Sequence, residues 1–321
     1  MQRRQFLGTL ASAGLASAHL RAAATGPIDG PDVGSATRAP QARRAPTQFQ
    51  LACMTLPYAA FPLERALVGI KQAGYSHVAW GVTHREADGQ ARPAMELDAP
   101  PNAAQALSRR CRDHGLQPVM MFSTVFLEEP DAAAAHTRRI AQAAAAGIPF
   151  LLTFGRTSPG QYERVIECLK TIGPIARKEG VMVVIKQHGG NTATGAQCAK
   201  IIREVGDDGV RMCYDAGNVL DYESHDPIAD IATCVDDIRA FAIKDHRDWP
   251  KDEDCGPGFG EIDHYRLLQH VTHTGLSMPL VCENIFEPLV RRPTTPEGVD
   301  ALARRAREYV DSVIRGLQAQ A

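Results

Sequence analysis

Short apolar, β-branched runs that break abruptly into charged residues recur along this chain, each followed by a stretch with helical spacing. Residues 181–220 show the pattern twice. Val181–Ile185 is apolar and stops at Lys186, Gln187, His188 and two glycines. Thr194–Val205 then carries Cys198, Ile201, Ile202 and Val205 on one helical face. Val210–Tyr214 is a second apolar run, and it ends in a polar loop at Asp215, Ala216, Gly217 and Asn218.

The same alternation predicts further strands at Phe49–Thr55, His77–Val82, Pro118–Val125, Phe150–Phe154, Ala240–Lys244 and Leu280–Glu283. Helices are expected at Leu63–Ala73, Ala103–His114, from an Asp131 cap to Gly147, and at Tyr162–Lys178, Pro227–Ile238, Ile262–Thr274 and Pro296–Leu317. Strand and helix in strict alternation mean parallel strands joined by crossovers. About eight such units close into a (β/α)8 barrel, which becomes the expected α/β fold. A doubly wound open sheet would place a glycine-rich phosphate turn after the first strand, and Met54–Phe61 has none.

Composition supports one large domain. The chain has 321 residues, of which 44% are hydrophobic, enough for a sizeable core. A net charge of −2 provides no field to recruit nucleic acid or an anionic membrane. The 8 cysteines include no C-x-x-C pair and fall mostly on expected strands and helices, the habit of small buried apolar residues. Residues 1–24 open with Arg3-Arg4-Gln5-Phe6-Leu7-Gly8 and a short Leu/Ala/Gly run, the pattern of a twin-arginine export signal. That run is too short to favour a membrane span. The expectation is export to the periplasm after folding, with residues 25–48 as a disordered linker and residues 49–321 as the barrel.

In such a barrel the active site forms at the C-terminal strand ends. The fifth expected strand offers Lys186 and His188 there, the sixth Asp215 and Asn218, the seventh Lys244, Asp245, His246 and Arg247, and the eighth Glu283 and Asn284. Carboxylates, lysines and histidines converging from four adjacent strands suit proton-transfer chemistry. Trp80 and Phe122 are candidates to stack on a ring, and Gly256–Gly260 reads as a flexible loop covering the site.

These motifs resemble the xylose isomerase-like TIM barrels, the sugar phosphate isomerase/epimerase superfamily. The matching stretches are Ile185–Gly190 (IKQHGG), Cys213–Asn218 (CYDAGN), Ala242–Arg247 (AIKDHR), Gly256–Asp263 (GPGFGEID) and Leu280–Asn284 (LVCEN). The resemblance implies an enzyme that moves protons next to a sugar carbonyl, with a divalent metal (Mn, Mg or Zn) held on the last four strands. Asp215 and Glu283 fall on two of its ligand positions. The other two, a glutamate and a histidine, are Lys186 and Ala242 here. A protonated ammonium and a methyl group cannot ligate a metal. Two readings therefore stand: a reduced metal site on Asp215 and Glu283 with His188, or Lys186 in place of the metal.

The expected function is sugar isomerase or epimerase, with Lys186, Lys244, His188 and His246 as catalytic candidates. Asn218, Arg247, Asn284 and Trp80 are the candidate substrate contacts. A keto-glycoside lyase and a non-catalytic sugar-binding protein remain as alternatives. A three-zinc endonuclease is disfavoured by the missing histidine ligands and the absence of basic charge. The partner expected is a small carbohydrate, and a homo-oligomer stays open.

Overall fold

The computed structural model describes residues 45–319, so the expected export signal lies outside the described residues. Eight strands form a closed barrel: β1 (Gln48–Met54), β2 (His77–Trp80), β3 (Gln117–Phe122), β4 (Phe150–Phe154), β5 (Met182–Lys186), β6 (Val210–Tyr214), β7 (Ile238–Ile243) and β8 (Ser277–Cys282). Each pairs in parallel with its sequence neighbour, and β8 closes on β1. The expected barrel is therefore the observed one.

The connecting helices are α1 (Leu63–Gln72), α2 (Pro101–Asp113), α3 (Ala132–Ala146), α4 (Tyr162–Lys178) and α5 (Gly195–Val205). Then follow α6 (Ala216–Glu223), α7 (Pro227–Ile231), α8 (His264–Gln269) and α9 (Pro296–Gln318). Local chemistry sets several boundaries. Thr194 and Gln197 form a reciprocal capping box at the start of α5. Gly147 ends α3 in the left-handed conformation, φ 68°.

The boundary at residue 49 moves earlier. Gly275 N donates to Ala45 O at 2.9 Å, and Thr47, itself buried, donates from its amide to Thr272 O at 2.8 Å. The end of the expected linker is thus part of the barrel. The helix expected over Pro227–Ile238 is shorter. After α7 the amides of Thr233 and Cys234 take i→i+3 bonds. Asp236 and Asp237 then sit where the C-terminal dipole of a continued helix would repel them. The expected Ile262–Thr274 helix contracts to α8, capped by Asp263, whose side chain accepts from Arg266 N. The segment after β2 contains a short antiparallel hairpin, Thr83–Arg85 against Ala91–Pro93.

Alternation along the strands separates two cores. Ala52, Met54, Ala79, Met120, Leu152, Val184, Cys213, Ala242 and Val281 fill the barrel interior, with at least one residue from every strand. Cys53, Val78, Trp80, Met121, Leu151, Val183, Ile185, Tyr214, Phe241 and Cys282 face the helix layer. All eight cysteines are buried free thiols, as their scattered placement predicts.

His136 on α3 is buried in that outer layer. Its Nδ1–H donates to Ala132 O and its Nε2 accepts from the Thr153 hydroxyl, both at 2.7 Å. Burial pushes its pKa down to about 4. The unfolded chain takes up this proton near pH 6.5, so between those values the unfolded state binds more protons and stability drops as the pH is lowered. This one group should cost about 3 kcal/mol over the whole window. Urea unfolding at pH 7 and pH 4.5 checks it: His136→Gln should lose less stability on acidification than the wild type does.

Candidate active site

The strand positions that face the barrel axis continue past the apolar plug into charge. Lys186 follows Val184, Asp215 follows Cys213, Lys244 follows Ala242 and Glu283 follows Val281, each two residues on and so on the same side of its strand. The ammonium of Lys186 lies 2.8 Å from both carboxylate oxygens of Glu283 and 3.0 Å from Asp215 Oδ2. Phe122 and Phe154 place their rings 6.0 and 5.9 Å from the same nitrogen. Lys186 and Asp215 are buried, and Glu283 stands at the solvent edge of the triad. Burial works against the charge on Lys186, but Glu283 and Asp215 outweigh it and raise the pKa well above the ordinary lysine range.

Asp215 also starts α6, a helix that the Ala-Gly-Asn composition after it conceals. Its Oδ1 accepts from Asn218 N at 3.0 Å, while its own amide donates to Gln187 Oε1 at 2.8 Å. Oδ2 is fully buried and has only the ion pair with Lys186, with no well-formed hydrogen bond. Gly217 makes room for the second lysine: a Cβ there would lie 2.6 Å from Lys244 Cε and 2.7 Å from its Cγ.

A second charged group stands beside the first. Lys244 Nζ donates to Asp254 Oδ2 at 2.5 Å, and Asp254 Oδ1 lies 3.2 Å from His246 Nδ1. Asp254 belongs to a hairpin, Asp245–Arg247 against Glu253–Cys255, that extends β7 beyond the barrel. Burial alone would discharge Lys244, but Asp215, Asp254 and Glu283 together raise its pKa, so it stays protonated and is not a base. His246 has both ring nitrogens against carboxylates. Its Nε2 faces Asp248 at 3.2 Å, and although burial opposes the charge, Asp254 and Asp221 raise its pKa.

His188 differs. Its Nδ1–H donates to Gly155 O at 3.0 Å, which leaves the Nε2 lone pair free. Burial, then the charge of Lys186, lower its pKa and keep it neutral. Its ring packs 4.3 Å from Phe154 and 5.6 Å from Tyr222.

Other candidates have structural work. Asn218 Nδ2 donates to Gln187 O at 2.6 Å and braces the end of β5. Arg247 spends its guanidinium on the Trp249 carbonyl, at 2.9 and 2.7 Å. Asn284 Oδ1 accepts from Phe286 N at 3.0 Å in a local turn. Trp80 is corrected outright: it points into the helix layer, and the hollow beside it, about 20 Å³, takes a water but no sugar ring. The Gly256–Gly260 loop is tied down, with Gly258 N donating to the buried Asp245 at 3.0 Å and Gly256 N to Phe286 O at 2.7 Å. Larger hollows of 510 and 330 Å³ open against the outer helices and contain none of these side chains. Sequence reasoning passed over Asp254, Asp221 and Tyr222. Asp254 sits in an acid-rich run, and the other two on a helix read as a loop.

The residues present do not fit the divalent metal that the family resemblance implies. The Lys186 ammonium occupies the space between Asp215 and Glu283, and Ala242 has no donor. Among the described residues one three-ligand cluster could hold a cation, Asp221, His246 and Asp254, with ligand atoms within 4.8 Å of one another. There too a lysine, Lys244, already pairs with the acid.

A family profile described as xylose isomerase-like TIM barrel matches residues 69–308. The chain belongs to the xylose isomerase-like TIM barrel family. Solved structures agree on the fold. An L-ribulose 3-epimerase superposes with a TM-score of 0.66 at 18% identity, over 84% of this chain and 96% of that one. A D-psicose 3-epimerase solved in the presence of D-fructose gives 0.61 at 14%, over 83% and 99%. A xylose isomerase-like TIM barrel protein from Mycobacterium smegmatis in complex with magnesium gives 0.62 at 13%, over 84% and 98%. No curated protein matches the sequence. In this xylose isomerase-like barrel the membrane question is also narrow: no described helix is long and apolar enough to span a bilayer.

The triad predicts its own energetics. Lys186→Met leaves two carboxylates facing each other without a cation and should destabilise the fold by about 3–5 kcal/mol. Adding Asp215→Asn and Glu283→Gln should recover most of that loss. Urea unfolding of the single and triple variants measures both.

Proposed function

We propose that this chain is a sugar isomerase or epimerase that transfers a proton at the carbon next to a carbonyl, with lysine ammoniums in place of a divalent metal. The observation that carries this reading is the Lys186 ammonium held 2.8–3.0 Å from Asp215 and Glu283 at the strand ends. The epimerase neighbours share the fold and supply the substrate class.

Each residue then has a task. His188 Nε2, neutral and free of partners, takes the proton from the substrate carbon. The enolate oxygen that develops faces the fixed charges of Lys186 and Lys244, which need no reorganisation to stabilise it. Asp215, fully buried, holds the Lys186 ammonium in place. Asp215, Glu283 and Asp254 keep both lysines protonated, so neither forms a Schiff base. Return of the proton by His188 to the neighbouring carbon, with the hydroxyl proton moving to the former carbonyl oxygen, gives isomerisation; in epimerisation the opposite face takes a proton from solvent and His188 gives its own up to solvent.

Solvent deuterium exchange tests the chemistry. Incubation with a panel of ketoses in D2O should label the carbon next to the carbonyl. His188→Gln should slow that labelling by about a hundredfold or more. The lowered pKa of His188 puts the acid limb of the rate below the ordinary imidazole range, with full activity above it. Release of a leaving group alongside exchange would assign the lyase reaction. Binding with no exchange across the panel would reduce the chain to a sugar-binding protein and sink the proposal.

The metal question has a separate test. Purified protein should hold no stoichiometric divalent metal, and exchange should survive chelation. Lys186→Glu with Ala242→His restores four ligands and should bind Mn2+ in a titration, whereas Lys186→Glu alone should not. A tightly bound metal in the wild type, lost together with activity on chelation, would overturn the assignment of Lys186.

A further inference from the structure

Four large apolar side chains are exposed among the described residues: Tyr222, Trp249, Leu289 and Val290. All four leave the C-terminal ends of consecutive strands. Tyr222 is on α6 after β6, Trp249 is in the hairpin region after β7, and Leu289 and Val290 follow β8. Among the described residues the outer surface of the barrel has no counterpart, so exposed apolar area gathers at the end that carries the candidate base.

Tyr222 adjoins that base directly. Its ring centroid is 5.6 Å from that of His188, edge to face, and the residue is 41% exposed. Asp221 precedes it on the same turn of α6. Among the described residues no donor hydrogen-bonds the Asp221 carboxylate, which lies within 4.8 Å of His246 and Asp254 ligand atoms. The hairpin that carries Trp249 is braced rather than loose. Arg247 clasps the Trp249 carbonyl twice, and Glu253 Oε1 accepts from Leu289 N at 3.0 Å, tying the hairpin to the loop after β8. Trp249 itself is 78% exposed.

An aromatic face beside a carboxylate that no described donor hydrogen-bonds matches a pyranose ring, which offers an apolar C–H face to stack and hydroxyls to donate. A purely apolar occupant would cover that carboxylate without giving it a donor and is disfavoured. We propose that the substrate is a glycoside whose second sugar ring is held outside the reaction centre by Tyr222, Asp221 and Trp249. This deepens the isomerase or epimerase reading and rests on it for the position of the reacting ring.

Binding tests the subsite without turnover, so a failure here is distinct from a failure of exchange. The chain has two tryptophans, and Trp80 is buried in the helix layer, so fluorescence changes on ligand addition report Trp249. The probes are cellobiose, maltose, laminaribiose and gentiobiose, each against methyl glucoside, with phenyl glucoside as the apolar control. At least one disaccharide should bind tenfold or more tighter than methyl glucoside and shift the emission. Tyr222→Ala and Asp221→Asn should each reduce that preference by tenfold or more, and Tyr222→Phe should retain most of it. Circular dichroism confirms that each variant is folded, and calorimetry replaces fluorescence for Trp249→Ala, which should weaken the disaccharide preference as Tyr222→Ala does.

Equal affinity for disaccharides and methyl glucoside would overturn the proposal. So would tighter binding of phenyl glucoside than of any disaccharide, which would make the occupant an apolar aglycone. Light scattering gives the remaining outcome: a wild-type dimer that Trp249→Ala dissociates would assign the apolar rim to a second copy of the chain and refute the sugar subsite.

Discussion

One ammonium between two carboxylates organises the working end of this barrel. Removing three charges from water is expensive, and the mutual contacts at 2.8–3.0 Å offset that cost only as a complete set. Asp215 is committed further, because the same side chain caps α6 and its amide is held by Gln187. The orientation of α6, the end of β5 and the lining of the mouth are therefore coupled through Lys186. A neighbouring lysine repeats the arrangement with Asp254 and His246, so the mouth holds two fixed positive charges with nearly matched negative ones. The field there is strong locally and almost cancels at a distance, in keeping with the small net charge of the chain.

Much of this was legible in the sequence because strand side chains alternate. Once Val181–Ile185 and Val210–Tyr214 are read as strands, Lys186 and Asp215 must face one axis, and the same count puts Lys244 and Glu283 there. The barrel followed from repetition, and the family from five motifs in order. Trp80 fell to the same rule misapplied: two residues before it Val78 faces the helices, so Trp80 does too.

What stayed hidden depends on contacts across the chain. Asp254 reaches Lys244 only because the segment after β7 doubles back as a hairpin, and the acidic run that forms it has no periodicity to reveal the turn. The first turn of α6 contains Gly217 and Asn218, poor helix formers by propensity, and the helix is held because Asp215 caps it and Lys244 packs against it. His188 and His246 are alike in sequence. Burial and the Lys186 charge lower the pKa of one, and the carboxylates around the other raise its pKa.

The missing Cβ at Gly217 ties two distant positions into one heritable unit. A lysine can run its stem along α6 only where that helix is bare, so a lineage that gains an alanine at 217 loses the geometry at 244 without touching it. Conversely, the lysine at 244 keeps position 217 confined to glycine for as long as its stem lies there.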